Sequence, residues 1–225
     1  AARDTAGPTL ASYLERKASL LGKERLDWWD QGAPYPGAAE LTLSWPEACD
    51  LICESFAGFS PALSALAERA LRGRWIDAEE RGGKRQGACC ADFPRSRESR
   101  ILMTFGGTLR SAMTLAHELG HAYHNEILFR LPSARRRVTS ALAETASTFA
   151  EAVVRDRALA RAAAEALRIR LLDQQLQAGV SYLMNIPARF AFERSLYEMR
   201  RSGAFDPDAL SDRMVGFERE AYRDA

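Results

Sequence analysis

The stretch that most constrains this chain is Thr114-Leu115-Ala116-His117-Glu118-Leu119-Gly120-His121. It contains His-Glu-x-x-His, and on a helix two histidines one turn apart leave the same face. Two imidazole nitrogens then lie within reach of one tetrahedral zinc ion. Glu118 follows the first histidine and can face the open side of the ion, where a water would sit. A carboxylate there takes a proton from a water that the metal has acidified. Two histidines and a glutamate at fixed spacing arise by chance in well under about 1% of chains this long, at a few per cent usage each. The plainer alternative is a helix with two hydrogen-bonded histidines beside a surface glutamate, and a third ligand would weigh against it.

Composition sets the outer bounds. The 225 residues are 47% apolar and 27% charged, which suits a globular protein of one or two domains with a real core. Net charge is +1, so no long-range field draws the chain to nucleic acid or to a membrane surface. Arg135-Arg136-Arg137 reads as a solvated face rather than a phosphate site. No apolar run reaches the roughly 20 residues of a membrane span. No signal peptide is readable and the first residue is Ala1, so a trimmed or partial chain is expected. Cys49, Cys53, Cys89 and Cys90 lack C-x-x-C spacing. Reduced thiols in a cytoplasmic protein are expected, not a disulfide framework or a structural zinc site.

Periodicity and punctuation predict a mainly helical chain with a small sheet. A helix is expected over residues 9–21, then a Trp-, Gly- and Pro-rich loop from Lys23 to Gly37 and a short extended segment from Leu41 to Trp45. Pro46 suits the first turn of a helix through Phe56, and Ser60-Pro61 starts another to about Leu71. Trp75–Asp77, Gly87–Ala91 and Arg100–Phe105 read as short strands. Thr108 can cap the helix carrying the histidines, with Pro132 beyond its far end. The remainder is predicted as helices from Ser140 past Val154, from Ala162 to Met184, from Ala188 to Arg201 and from Asp206-Pro207 to the terminus. Asn185-Ile186-Pro187 is expected to break the chain between the second and third of these.

A zinc site with an open position needs a third protein ligand. Glu144 lies 144 − 121 = 23 residues past the second histidine, on the next predicted helix, and a short connection makes the two helices neighbours. Leu142, Ala143, Ala146, Phe149 and Ala150 surround it, which predicts a largely buried helix whose carboxylates need partners. Glu144 is the candidate ligand. Glu151, seven residues on and on the same face, can orient a ligand histidine through its other ring nitrogen. The competing reading leaves both glutamates facing solvent. His124 fits a surface or core-edge histidine, with substrate contact as the alternative.

These residues resemble the oligoendopeptidase F and thimet oligopeptidase family of zinc metallopeptidases. The match runs through Trp75-Ile76-Asp77, Gly83-Lys84-Arg85-Gln86-Gly87-Ala88-Cys89, Ile101–Phe105, the histidine motif and Ala143-Glu144-Thr145-Ala146-Ser147-Thr148-Phe149. The resemblance implies a mainly α, zincin-like catalytic domain over residues 1–225 that hydrolyses short peptides. It implies one Zn2+ held by His117, His121 and Glu144, with Glu118 as the base. It also implies that the strand at Gly87, Ala88 and Cys89 pairs with the substrate backbone, an alternative to ordinary interior sheet. Family members are far longer: they carry an N-terminal helical lobe and a later histidine- and tyrosine-rich stretch that supplies oxyanion donors. Tyr182, Tyr197 and Tyr222 do not match that stretch. Two expectations follow from the difference: self-association through faces meant for missing segments, and, as the rival to an active peptidase, a poorly active module that binds zinc and peptide.

Overall fold

A computed structural model of the chain describes residues 2–35, 42–201, 203 and 206–223. Leu41, the start of one expected extended segment, lies outside them; Thr42 forms an isolated antiparallel bridge with Thr108. The structure is mainly helical with one small sheet. Helices α1 (Ala2–Leu20), α2 (Trp45–Phe59), α3 (Pro61–Arg72), α4 (Leu109–Leu128), α5 (Ser140–Arg161), α6 (Glu165–Val180), α7 (Ile186–Arg200) and α8 (Pro207–Tyr222) accompany strands β1 (Ile76–Asp77), β2 (Ala88–Phe93) and β3 (Glu98–Met103). Two compact units result, one of Glu40–Ala163 and one of Ala1–Ala39 with Ala164–Ala225. No helix of the described residues is long and apolar enough to cross a membrane.

The unit of Glu40–Ala163 is built around α4. Ser44 opens α2 with a capping box: its backbone N–H donates to Glu47 Oε2 at 2.8 Å. Thr108 does the same for α4, where its Oγ1 accepts from the Ser111 N–H at 3.2 Å. In the sheet, β3 is central, parallel to β1 and antiparallel to β2. The β2–β3 pairing runs from Ala88↔Met103 to Phe93↔Glu98, with the turn at residues 94–97. Both strands therefore run two residues further into the turn than expected, to Phe93 and from Glu98 rather than to Ala91 and from Arg100, and Arg97 takes a left-handed conformation at φ 55 to close it. Ser99, Ile101 and Met103 alternate inward along β3, on the face that packs on α4. Ile52, Phe56, Leu66, Met103, Leu115 and Leu119 are almost wholly buried. Each is worth roughly 1.5–3 kcal/mol relative to exposure.

The unit of Ala1–Ala39 with Ala164–Ala225 packs Leu10 and Leu14 of α1 against Val180, Met184, Ala188, Ala221 and Tyr222. Two expectations change here. Helix α1 begins at Ala2 rather than at residue 9, with Pro8 inside it. Buried Gly7 explains part of this start: a Cβ there would meet the Arg223 guanidinium at 2.6 Å, so the extra turns are held by packing rather than by propensity. The second change is at Pro187, where the chain does not break. A π-helical turn over Ser181–Asn185 leads directly into α7, and the Ile186 N–H donates to the Ser181 carbonyl. The wider turn relieves the clash a proline ring makes with the carbonyl four residues back.

Lys17 lies at the centre of this unit, 1% exposed. Its Nζ donates to the Gln31 carbonyl at 3.0 Å and sits 3.4 Å from Asp173 Oδ1. The Tyr13 hydroxyl donates to the same Oδ1 at 2.5 Å, and Gln177 Nε2 donates to Oδ2 at 2.8 Å. Burial pushes the Lys17 ammonium below its usual range, with Asp173 opposing the shift. Removing one partner of such a pair strands the other charge, which typically costs about 3–5 kcal/mol. Asp173→Ala is expected to destabilise this unit by about that amount, read from urea denaturation followed by circular dichroism. A loss under about 1 kcal/mol would show that the network contributes little.

Candidate functional site

His117 and His121 project from one face of α4, with ring centroids 4.8 Å apart and planes at 84°. Glu144 reaches them from α5. Its Oε2 lies 3.2 Å from His117 Nε2 and 3.6 Å from His121 Nε2. The three residues each offer a ligand atom, and these atoms all lie within 4.8 Å of one another. Ser147 Oγ donates to Glu144 Oε2 at 2.8 Å and so aims the carboxylate.

The reason Glu144 arrives there differs from the sequence expectation. Helix α5 is not largely buried: Leu142 and Phe149 are exposed, and the Glu144 side chain is 53% exposed. Its buried residues are Ser147, Ala150 and Val154, a narrow stripe of small groups. That stripe packs at Gly120 of α4. A Cβ on Gly120 would stand 2.8 Å from Ser147 Cα, 2.8 Å from Ala150 Cβ and 2.9 Å from the Ala146 carbonyl. Absence of a side chain at Gly120 lets the helix backbones approach closely enough for Glu144 to reach both imidazoles.

Glu151, two turns along α5, lies 2.6 Å from His117 Nδ1 through Oε1. A proton held on Nδ1 in this bond leaves the Nε2 lone pair directed at the convergence point. The same bond raises the His117 pKa above its ordinary value against the effect of burial. Among the described residues His121 has no such partner, and burial lowers its pKa. Glu118 is only 5% exposed, and its Oε2 is buried with no hydrogen-bond partner among the described residues. Burial raises its pKa, partly offset by His117 and reinforced by Glu144 and Glu151.

The sheet borders this arrangement. Among the described residues strand β2 is at the edge, since the order is β1-β3-β2, and Gly87 immediately precedes it. The Gly87 carbonyl accepts from the Thr104 N–H at 3.3 Å, and Cys89 is exposed. Cys90 turns inward; Asn125 Nδ2 donates to its Sγ at 3.9 Å. Burial pushes the Cys90 thiol up to about 12, with the Glu118 charge contributing. His124 is not among the converging donors. With Phe59, Tyr123 and Phe149 it lines an apolar cavity of about 390 Å³.

Residues 62–224 match the sequence profile of Peptidase family M3. This chain belongs to peptidase family M3. Oligopeptidase PepF of Bacillus subtilis (strain 168) is 23% identical over 219 residues, which cover 96% of this chain and 32% of that protein. The chromosomal oligoendopeptidase F of Lactococcus lactis subsp. cremoris is 26% identical over 96% of this chain and 36% of its own length. The chain thus spans about a third of the curated relatives it matches. Among solved structures, PZ peptidase A superposes with a TM-score of 0.77 at 18% identity, over 98% of this chain and 40% of that one. That likeness establishes the fold.

Two residues of this M3 chain escaped sequence reasoning. Gly120 lies inside the motif and reads as a filler position. A helix-interior glycine costs about 1 kcal/mol relative to alanine, which is itself a sign of close packing. Arg155 carries no site signal in the sequence, yet it contacts Glu151. Two glycines give a matched test. Gly120→Ala must push the helices apart and is expected to destabilise by about 1–3 kcal/mol. Gly58, in α2, has nothing within 4 Å of a built Cβ, so Gly58→Ala is expected to be neutral or stabilising by up to about 1 kcal/mol. Thermal denaturation of both variants decides it: equal effects at the two sites would remove the close-approach argument.

Proposed function

We propose that residues 1–225 act together as the catalytic region of a zinc-dependent metalloendopeptidase that hydrolyses short peptides. The observation that carries this reading is the convergence of His117, His121 and Glu144 donor atoms within 4.8 Å. Two imidazoles and one carboxylate are a donor set that zinc takes where a catalytic position is left open. The surroundings suit a cation. Glu118, Glu144 and Glu151 crowd the imidazoles, and like charges so close need compensation. The names of the relatives, which are oligopeptidases, support the substrate class.

When bound there, zinc would polarise the scissile carbonyl and acidify a water. The remaining roles belong to the protein. Glu118 takes a proton from the attacking water and passes it to the leaving amine. Its Oε2, buried with no hydrogen-bond partner among the described residues, supports that role, because that oxygen need not first give up an internal hydrogen bond. Glu151 holds the Nδ1 proton of His117 and keeps Nε2 turned toward the metal. The free edge of β2 at Gly87, Ala88 and Cys89 would hydrogen-bond the backbone of an extended peptide without reading much sequence. The four free thiols support a reducing, cytoplasmic setting.

Glu118→Gln separates base from ligand. Cleavage of a quenched fluorescent peptide library is expected to fall at least about a hundredfold, within the range assigned to general acid–base catalysis, while zinc remains near one equivalent by metal analysis. Retained cleavage would contradict the assignment of Glu118. Glu144→Ala is expected to lose zinc and activity together, and zinc retention equal to wild type would point to another ligand. Zinc and peptide binding by the wild-type chain without turnover would favour the poorly active binding module instead.

A further inference from the structure

Arg155 is a half-hidden cation for which packing alone gives no reason. Its side chain is 14% exposed, and its Nε is buried with no hydrogen-bond partner among the described residues. A buried guanidinium with an orphan N–H is unfavourable unless its charge is matched nearby. The match is Glu151, one turn back on α5: Arg155 Nη2 donates to Glu151 Oε2 at 3.4 Å. The other oxygen of that carboxylate, Oε1, is the one 2.6 Å from His117 Nδ1. Glu144, Glu151 and Arg155 follow at spacings of seven and four, so one face of α5 carries all three.

We propose that Arg155 is a positioning residue for the metal centre: it pins Oε2 of Glu151, so that Oε1 stays on His117 Nδ1 and Nε2 stays directed at the ion. The inference rests on the zinc-site reading above. A carboxylate with one oxygen anchored has a single way to meet the imidazole. Released from Arg155, the Glu151 side chain gains rotamers in which His117 loses its partner. Arg155 touches neither the proposed ligand set nor the reacting atoms, and all of its influence passes through Glu151.

Zinc affinity measured by competition with a chromophoric chelator tests this on the whole chain, independently of turnover. Arg155→Met is expected to weaken zinc binding roughly three- to tenfold, less than the 10–100-fold typical when a direct outer-shell partner is lost. Arg155→Lys keeps the cation and is expected to recover most of that loss. Because the effect runs through Glu151, Arg155→Met added to Glu151→Ala is expected to weaken binding no further than Glu151→Ala alone. Far-UV circular dichroism checks folding, and Arg155→Gln serves the same comparison if the methionine variant does not fold. Wild-type affinity in Arg155→Met, or full additivity with Glu151→Ala, would overturn the inference while leaving the zinc site intact. A wild-type chain that takes up no zinc would overturn the zinc site and this inference with it.

Discussion

Where α5 crosses α4, the backbone of Ser147 and the carbonyl of Ala146 fill the space that a side chain on Gly120 would need. That absent side chain lets a carboxylate on one helix meet two imidazoles on another. Helices with ordinary side chains at the contact pack 8–10 Å apart, and the distance depends on the residues there. Gly120 with Ser147 and Ala150 draws the pair closer than larger residues would allow. The surrounding core holds the arrangement: Leu115, Ala116 and Leu119 of α4 are buried around the motif, and Ile101 and Met103 of β3 are buried in the same unit.

The chemistry places a burden on this packing. Glu118 is buried with one oxygen unpartnered among the described residues, and a buried polar group without a partner costs about 1–3 kcal/mol. Glu144 and Glu151 add like charge within the same small volume. Such groups persist only when the structure around them over-determines their positions. The capped start of α4 at Thr108, the sheet beneath it and the glycine contact with α5 provide that constraint. The two imidazoles then differ by design of their surroundings: Glu151 raises the pKa of His117, while burial lowers that of His121.

Much of this was legible in the chain, for reasons that differ residue by residue. The His-Glu-x-x-His spacing determines which side chains share a helix face, so His117, His121 and Glu118 could be read directly. Proline and cap residues marked α2, α3 and α8, because those signals act locally. Glu144 was singled out on the premise of a buried helix, yet α5 exposes Leu142 and Phe149 and buries Ser147, Ala150 and Val154. A face of small residues leaves almost no trace in hydrophobic periodicity. The same blindness hid Gly120, whose role exists only once α5 is in place. Pro187 misled for the opposite reason: a local breaker was absorbed by a π turn that tertiary packing sustains. Buried Lys17 and half-buried Arg155 were illegible because their partners lie on another helix or on a face whose burial the sequence does not announce.

The central claim is that these side chains form one zinc site built from two helices. X-ray absorption at the zinc edge, on the whole chain loaded with one equivalent of metal, tests it most directly. The account predicts a single ion with two imidazole nitrogens at about 2.0–2.1 Å and light oxygen ligands at about 2.0–2.2 Å, the distances zinc takes with these groups. A sulfur shell near 2.3 Å, which would place the ion on the cysteines, or a spectrum showing no imidazole, would contradict it.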